Sequence, residues 1–124
     1  MRTLGVTLER VAPGEVDLAL PFDAALTQQH GFLHAGIVTA VVDSACGYAA
    51  LSLMEPGVAV LSVEFKVQLL APARAERFVG LGRVLRSGRT LTVVSGELRS
   101  ENGEVFALLN GTMMAVRGRP ELAD

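Results

Sequence analysis

The stretch His34–Gly57, HAGIVTAVVDSACGYAALSLMEPG, decides how this chain is read. From His34 to about Met54 the residues suit an α-helix, and Glu55-Pro56-Gly57 cannot continue one. The segment is apolar nearly all round, so the helix is expected to be buried on most sides. Asp43 breaks the pattern. A carboxylate in apolar surroundings is costly unless it is hydrogen-bonded or paired. Steps of three and four place Gly36, Ala40, Asp43, Gly47 and Ala50 on one stripe. Every neighbour of the carboxylate there is Gly or Ala, which leaves room for a strand backbone, a second subunit or a ligand.

Before the helix, TLGVTLERVAPGEVDLALPF alternates weakly around Pro13-Gly14 and reads as a β-hairpin. DAALTQQHG then reads as a short helix or turn, with Asp23 as its cap and Gly31 as its end. After the helix, SVEFKVQLL alternates Val63, Phe65, Val67 and Leu69 with Ser62, Glu64, Lys66 and Gln68, as a half-buried strand does, until Pro72. FVGLGRVLR and TLTVVSGELRS flank Ser87-Gly88, and Asn102-Gly103 joins the second of these to EVFALLNGTMMAV. Asn-Gly between apolar runs is a strong hairpin signal. Residues 117–124 read as a loose tail. The sum is a hairpin, a long helix and an antiparallel meander: a single α+β domain over 1–124, with one central helix lying on, or wrapped by, about six strands. The late strands are almost continuously apolar, and a subunit interface is the simplest cover for that excess.

Composition limits the function. The 124 residues suffice for one domain with a real core. The chain is 50% apolar but has only five Phe and one Tyr as aromatics. A formal net charge of -2 speaks against a nucleic-acid surface, which needs clustered Lys and Arg. One cysteine, Cys46, forms no internal disulfide, and with two histidines no metal site is expected. The first residues lack a long apolar core, and Thr39, Asp43, Ser44, Gly47 and Ser52 interrupt the helix. A soluble cytoplasmic protein without a leader or membrane span is therefore expected.

The helix start is the second candidate feature. His34-Ala35-Gly36 supplies backbone N–H groups that lack intrahelical acceptors, at the positive end of the helix dipole. Such groups can bind an oxyanion or a polarised carbonyl. Asp43 lies two turns further on, roughly 10–12 Å along the axis. One subunit would struggle to bring both to a single carbonyl, whereas two antiparallel helices across a two-fold axis could. Other roles stay open at this point. Asp43 could be a hydrogen-bonded structural residue, and His30 and His34 could serve local packing. Cys46 has no basic group placed to activate it and reads as a small core residue.

Gln28, His34-Ala35-Gly36 and Asp43, spaced as Q-x5-H-A-G-x6-D, together with SVEFKVQLLAPA from Ser62 to Ala73, resemble the hotdog-fold acyl-CoA thioesterases. The likeness is nearest to the phenylacetate-pathway (PaaI-type) branch, related to the 4-hydroxybenzoyl-CoA thioesterases, and extends to Val116. It implies a hotdog fold, a long central helix wrapped by a six-stranded antiparallel β-sheet. It also implies a homodimer, or a dimer-of-dimers tetramer, with active sites at the interface. By the same resemblance Asp43 is the catalytic carboxylate, attacking the thioester or activating water. The Ala35 and Gly36 amides polarise the carbonyl, and Gln28 helps hold the carbonyl or the water. Ser62 matches a hydroxyl that orients the attacking water in some members. The family's usual His-Gly-Gly is His-Ala-Gly here, and the Gln replaces the Asn commoner in the PaaI-type branch.

The implied reaction is hydrolysis of an acyl-CoA thioester to a carboxylic acid and CoA, with no cofactor, CoA being part of the substrate. No Walker-type phosphate loop is present, so CoA contacts are expected from surface residues. The candidates are His34, Lys66, Arg86, Gly88 and Arg89, the last three around the RVLRSGRT hairpin. A hotdog hydroxyacyl-CoA hydratase or dehydratase, pairing a carboxylate with His30 or His34, is the rival enzyme. A non-catalytic acyl-CoA binding module is the third possibility. No nucleic-acid or membrane partner is expected.

Overall fold

The computed structural model describes residues 1–122. Six strands and one long helix follow in the order β1 (Thr7–Ala12), β2 (Glu15–Pro21), α1 (Ala35–Leu51), β3 (Ala59–Leu69), β4 (Arg77–Ser87), β5 (Leu91–Ser100) and β6 (Val105–Val116). Pro13-Gly14 makes the first turn, with Gly14 at φ 74°, a left-handed conformation that suits glycine. Asp23 caps a short 3-10 turn, Ala24–Leu26, its side chain accepting from Ala25 N–H at 2.9 Å. That turn ends five residues before Gly31, because Thr27 bridges to Leu33 and closes a loop instead. The helix likewise stops at Leu51 rather than Met54. Leu53 and Met54 donate to the carbonyls of Ala50 and Leu51, tightening the last residues into 3-10 geometry. Pro120–Leu122 form another short 3-10 turn within the expected tail, and residues 123–124 lie outside the described residues.

All six strands join one antiparallel sheet in the order β1-β2-β4-β5-β6-β3. This corrects the sequential meander: β4, β5 and β6 form one, but β3 pairs with β6 at the far edge. The segment 70–76, carrying Pro72, returns the chain from that edge to β4 in the sheet interior. On its way it covers the helix start, where Ala73 C=O accepts from Leu33 N–H at 3.0 Å.

The sheet wraps α1, which packs on β2, β3, β4, β5 and β6. Val38, Val41, Val42, Ala45, Cys46, Ala49 and Ala50 are buried against it. Glycines make this approach close enough. A Cβ on Gly82 would lie 2.3 Å from the backbone C and O of Ala45, and one on Gly96 would lie 2.7 Å from Cys46 Sγ. Phe78 and Phe106 meet edge to face, 5.8 Å between centroids, at the end of the core near the helix start. The reading of β3 as half-buried changes: Val63, Phe65 and Leu69 are 53%, 41% and 57% exposed. β3 is an edge strand: Ala59, Val60 and Val67 reach the core, but Val63, Phe65 and Leu69 stand exposed on the protomer.

Candidate active site

The uncovered side of α1 carries the candidate residues. Gly36 is exposed, and Thr39, Ala40, Asp43, Ser44 and Gly47 are half-buried, whereas Ala50 is fully buried and leaves the expected stripe. Asp43 therefore avoids the full cost of a carboxylate in a dry core. Its Oδ1 accepts a hydrogen bond of 2.7 Å from Ser62 Oγ on β3. The same hydroxyl touches Met113 Sδ on β6 at 3.2 Å. It has one proton, and the carboxylate is the stronger acceptor. These groups open into a pocket of about 170 Å³ lined by Asp43, Ser44, Gly47, Tyr48, Ser62 and Met113. No histidine hydrogen-bonds Asp43 among the described residues.

The helix start is arranged differently from expectation. His34 is the N-cap, with φ -62° and ψ 137°, and its Nδ1 accepts from Gly36 N–H at 2.8 Å. The Gly36 amide, expected to face a carbonyl, is thus engaged by the ring of its own cap. Ala35 N–H has no acceptor among the described residues and remains the helix-start donor. The same bond gives His34 a local structural role and fixes its Nδ1 as the acceptor.

Gln28 and Ala35 together line a second pocket, of about 450 Å³, with Phe32, Leu69, Pro72 and Phe106. The Gln28 side-chain oxygen accepts from His30 N–H and, at 3.4 Å, from Phe32 N–H. Holding the oxygen in the loop leaves the amide NH2 as the end able to donate outward. Within one protomer, then, Ser62 joins Asp43 and Gln28 joins Ala35, in two pockets with no common lining residue. Eight helical rises separate Ala35 from Asp43, about 12 Å.

The basic candidates do not converge on either pocket. Arg86, Gly88 and Arg89 are exposed on the β4–β5 hairpin. Register aligns Ser62, Met113, Thr92 and Ser87 across β3, β6, β5 and β4, so this hairpin stands three strand spacings from Ser62, about 14 Å. Lys66 alternates with Glu64, whose carboxylate accepts from Thr112 Oγ1 at 2.7 Å, so both lie on the sheet face away from α1. Arg83 is tied to Asp17 at 2.8 Å. Burial, and secondarily the nearby Asp43 charge, push the Cys46 thiol up to about 12, which suits an inert core residue. No His, Cys, Asp or Glu cluster suited to a metal occurs among the described residues, and none of their helices is long and apolar enough to cross a membrane.

Sequence reasoning missed Met113 and Tyr48. Met113 reaches the site only through the β3–β6 register, which leaves no local signal. Tyr48 follows Gly47 on the uncovered side of the helix and could have been found from that spacing.

Residues 30–107 match the model of the Thioesterase superfamily. The chain belongs to that family. A thioesterase family protein from Silicibacter pomeroyi has a solved structure similar to this one, with TM-score 0.91 and 54% identity over 95% of this chain and 89% of that one. Human acyl-coenzyme A thioesterase 13 is 32% identical over 109 residues, 86% of this chain and 77% of the relative. The Escherichia coli PaaI protein from the phenylacetic acid degradation operon, at 21% identity and TM-score 0.87, shares the fold over 94% of this chain and 83% of that one. This member of the Thioesterase superfamily is a hotdog-fold thioester hydrolase, as its helix wrapped by six strands and its relatives together show.

Proposed function

We propose that this thioesterase hydrolyses acyl-CoA thioesters, with Asp43 of one subunit acting on a carbonyl held by Ala35 N–H and the Gln28 amide of another. The observation that carries this reading is the Ser62–Asp43 hydrogen bond at the edge of an open pocket. It fixes one carboxylate oxygen, while no hydrogen bond engages the other among the described residues. The acyl-CoA assignment is supported by the human relative's activity in name and by the resemblance of Gln28, His34-Ala35-Gly36 and Asp43. The dimer is supported by the separation of the two pockets and by the uncovered apolar edge of β3. Edge strands with exposed apolar residues need a partner or a cover.

Hydrolysis then runs without a cofactor. As a base, Asp43 takes a proton from water while the oxygen adds to the carbonyl, and charge gathers on the carbonyl oxygen at Ala35 N–H and Gln28. The C–S bond breaks, and the departing thiolate recovers the proton. As a nucleophile, Asp43 instead displaces the thiolate to form a mixed anhydride, which water cleaves. Gly36, His34, Lys66, Arg86, Gly88 and Arg89 have no chemical step in this scheme, and any nucleotide contact they make lies outside the two pockets. A cytoplasmic location suits CoA esters as substrates.

The test is thiol release from aryl, short, medium and long acyl-CoAs by wild type and Asp43→Ala. At least one class should turn over, and the folded variant should lose most of that rate, on the order of a hundredfold or more. Equal rates in both proteins would make Asp43 structural. Single turnover in ¹⁸O-water tests the nucleophilic route. Label in Asp43 requires an anhydride cleaved at the Asp43 carbonyl and rejects the base route. Trapping of the anhydride by hydroxylamine at Asp43 detects it when water cleaves at the acyl carbonyl instead.

A further inference from the structure

A third pocket lies across the helix from Ser62. About 400 Å³ in size, it is lined by Val6, Leu8, Val11, Leu18, Tyr48 and Leu51, among others, between β1–β2 and the C-terminal half of α1. Leu8, Val11 and Tyr48 are 62%, 53% and 42% exposed, so this is an open apolar groove. Its side-chain polar groups are three hydroxyls, those of Thr7, Tyr48 and Ser52. The Ser52 hydroxyl already donates to Ala49 C=O at 2.7 Å and accepts from Gly14 N–H at 2.8 Å.

Two observations connect the groove to the candidate active site. Tyr48 lines both the groove and the Asp43–Ser62 pocket. Gly47, which precedes Tyr48 and lines the Asp43–Ser62 pocket, adds no barrier, since even an added Cβ there would meet nothing within 4 Å. The path from Asp43 past Gly47 and Tyr48 to Leu51 is therefore continuous along the helix surface. It spans eight helical rises, about 12 Å. The groove also lies at the β1–β2 edge, the opposite end of the sheet order from β3, so pairing through β3 leaves it open.

We infer that this groove receives the alkyl chain of the substrate, making the thioesterase selective for straight-chain acyl groups of about eight carbons or more over short-chain and aryl ones. The inference rests on the acyl-CoA reading above. A zigzag chain advances about 1.3 Å per carbon, so about ten carbons cover the path from Asp43 to Leu51. A benzoyl or phenylacetyl ring would fill only the near end. An alkyl chain needs no hydrogen bonds, and the groove is lined mainly by aliphatic side chains.

The experiment measures kcat/KM for butanoyl- to hexadecanoyl-CoA and for benzoyl- and phenylacetyl-CoA in wild type, Leu8→Glu and Val11→Glu, each checked for folding by circular dichroism. A fully buried methylene is worth about fourfold, and half-burial in an open groove about twofold. Wild type should therefore gain about sixtyfold from butanoyl to decanoyl and then level off. In both variants the decanoyl-to-butanoyl ratio should fall at least tenfold. A flat wild-type profile, an aryl preference, or a ratio untouched in both variants overturns the inference. A uniform loss at all lengths with a smaller assembly in sedimentation also overturns it, because the groove is then an interface between copies. Should no acyl-CoA turn over, the acyl-CoA reading fails separately. Calorimetry with the unhydrolysable thioethers S-decyl-CoA and S-butyl-CoA then still decides the groove: a decyl preference lost in both variants sustains it, and equal affinities reject it.

Discussion

Ala35→Pro isolates the helix-start donor more cleanly than any side-chain deletion. Proline removes one backbone N–H, and Ala35 is the first helical residue, whose N–H has no intrahelical acceptor in any case. The residue before a proline is restricted to extended or polyproline geometry. His34, at φ -62° and ψ 137°, already has it. The Gly36 N–H bond to the His34 ring is formed one residue further on and is retained. Stability should thus stay within about 0.5 kcal/mol of wild type, a melting shift of a few degrees at most. Catalysis should not survive so well. Loss of one preorganised oxyanion donor costs about 10²–10³ in kcat, or about 2.7–4 kcal/mol of transition-state stabilisation. The assay is steady-state thiol release on the best acyl-CoA, with Ala35→Gly as the control that keeps the N–H and should stay within about threefold of wild type. A folded Ala35→Pro enzyme with kcat within about threefold of wild type refutes the donor assignment and returns the role to another group.

Ser62→Ala removes the hydroxyl that holds Asp43 Oδ1. A hydrogen bond to a charged group is worth about 1.5–3 kcal/mol, reduced by the half-exposed setting to about 1–1.5, so kcat should fall roughly tenfold with little change in KM. Gly82→Ala puts a methyl into the Ala45 backbone, which cannot rotate away; denaturant melts should show a loss of about 3 kcal/mol or more, or no folded protein. Cys46 should resist alkylation in the native state at pH 8. Its thiol ionises near its ordinary value of 9.0 when unfolded but only at about 12 when folded, so its contribution is full below pH 9 and lost as pH climbs towards 12. Urea melts over that range should show wild type losing stability faster than Cys46→Ala, by up to about 1.4 kcal/mol per pH unit.

The parts of this fold that were legible in the sequence are those set by neighbours along the chain. The Pro13-Gly14 turn, the Asn102-Gly103 hairpin and the helix stopped before Pro56 each follow from local backbone rules. The place of β3 does not. Its alternation shows a strand with one apolar face, but pairing with β6 instead of β4 depends on a crossover through 70–76 that no local residue encodes. The site divides along the same line. Asp43 stood out because one carboxylate in an apolar helix needs a reason. Ser62, 19 residues away, came only from the family resemblance, and Met113 not at all, since both depend on β3 lying beside β6. The helix-start amides were legible as a pair, yet whether a histidine cap turns its ring onto Gly36 N–H depends on a rotamer that spacing does not fix.

The remaining peculiarities share one physical explanation. Gln28 and Ala35 face one pocket, Asp43 and Ser62 face another, and the helix between them is too rigid to bring the two together. Val63 and Phe65 stand exposed on an edge strand at a cost that a lone protomer has no reason to bear. Asp43 is tolerated in an apolar helix because its side of α1 was never part of the core. Under the proposed pairing, a partner covers the β3 edge and completes the thioester site with the same contact. Charging that edge should therefore cost activity and assembly together. Val63→Lys with Phe65→Lys is the variant that separates the cases: an active monomer would show that each protomer carries a whole site, and an inactive folded monomer that it carries half of one.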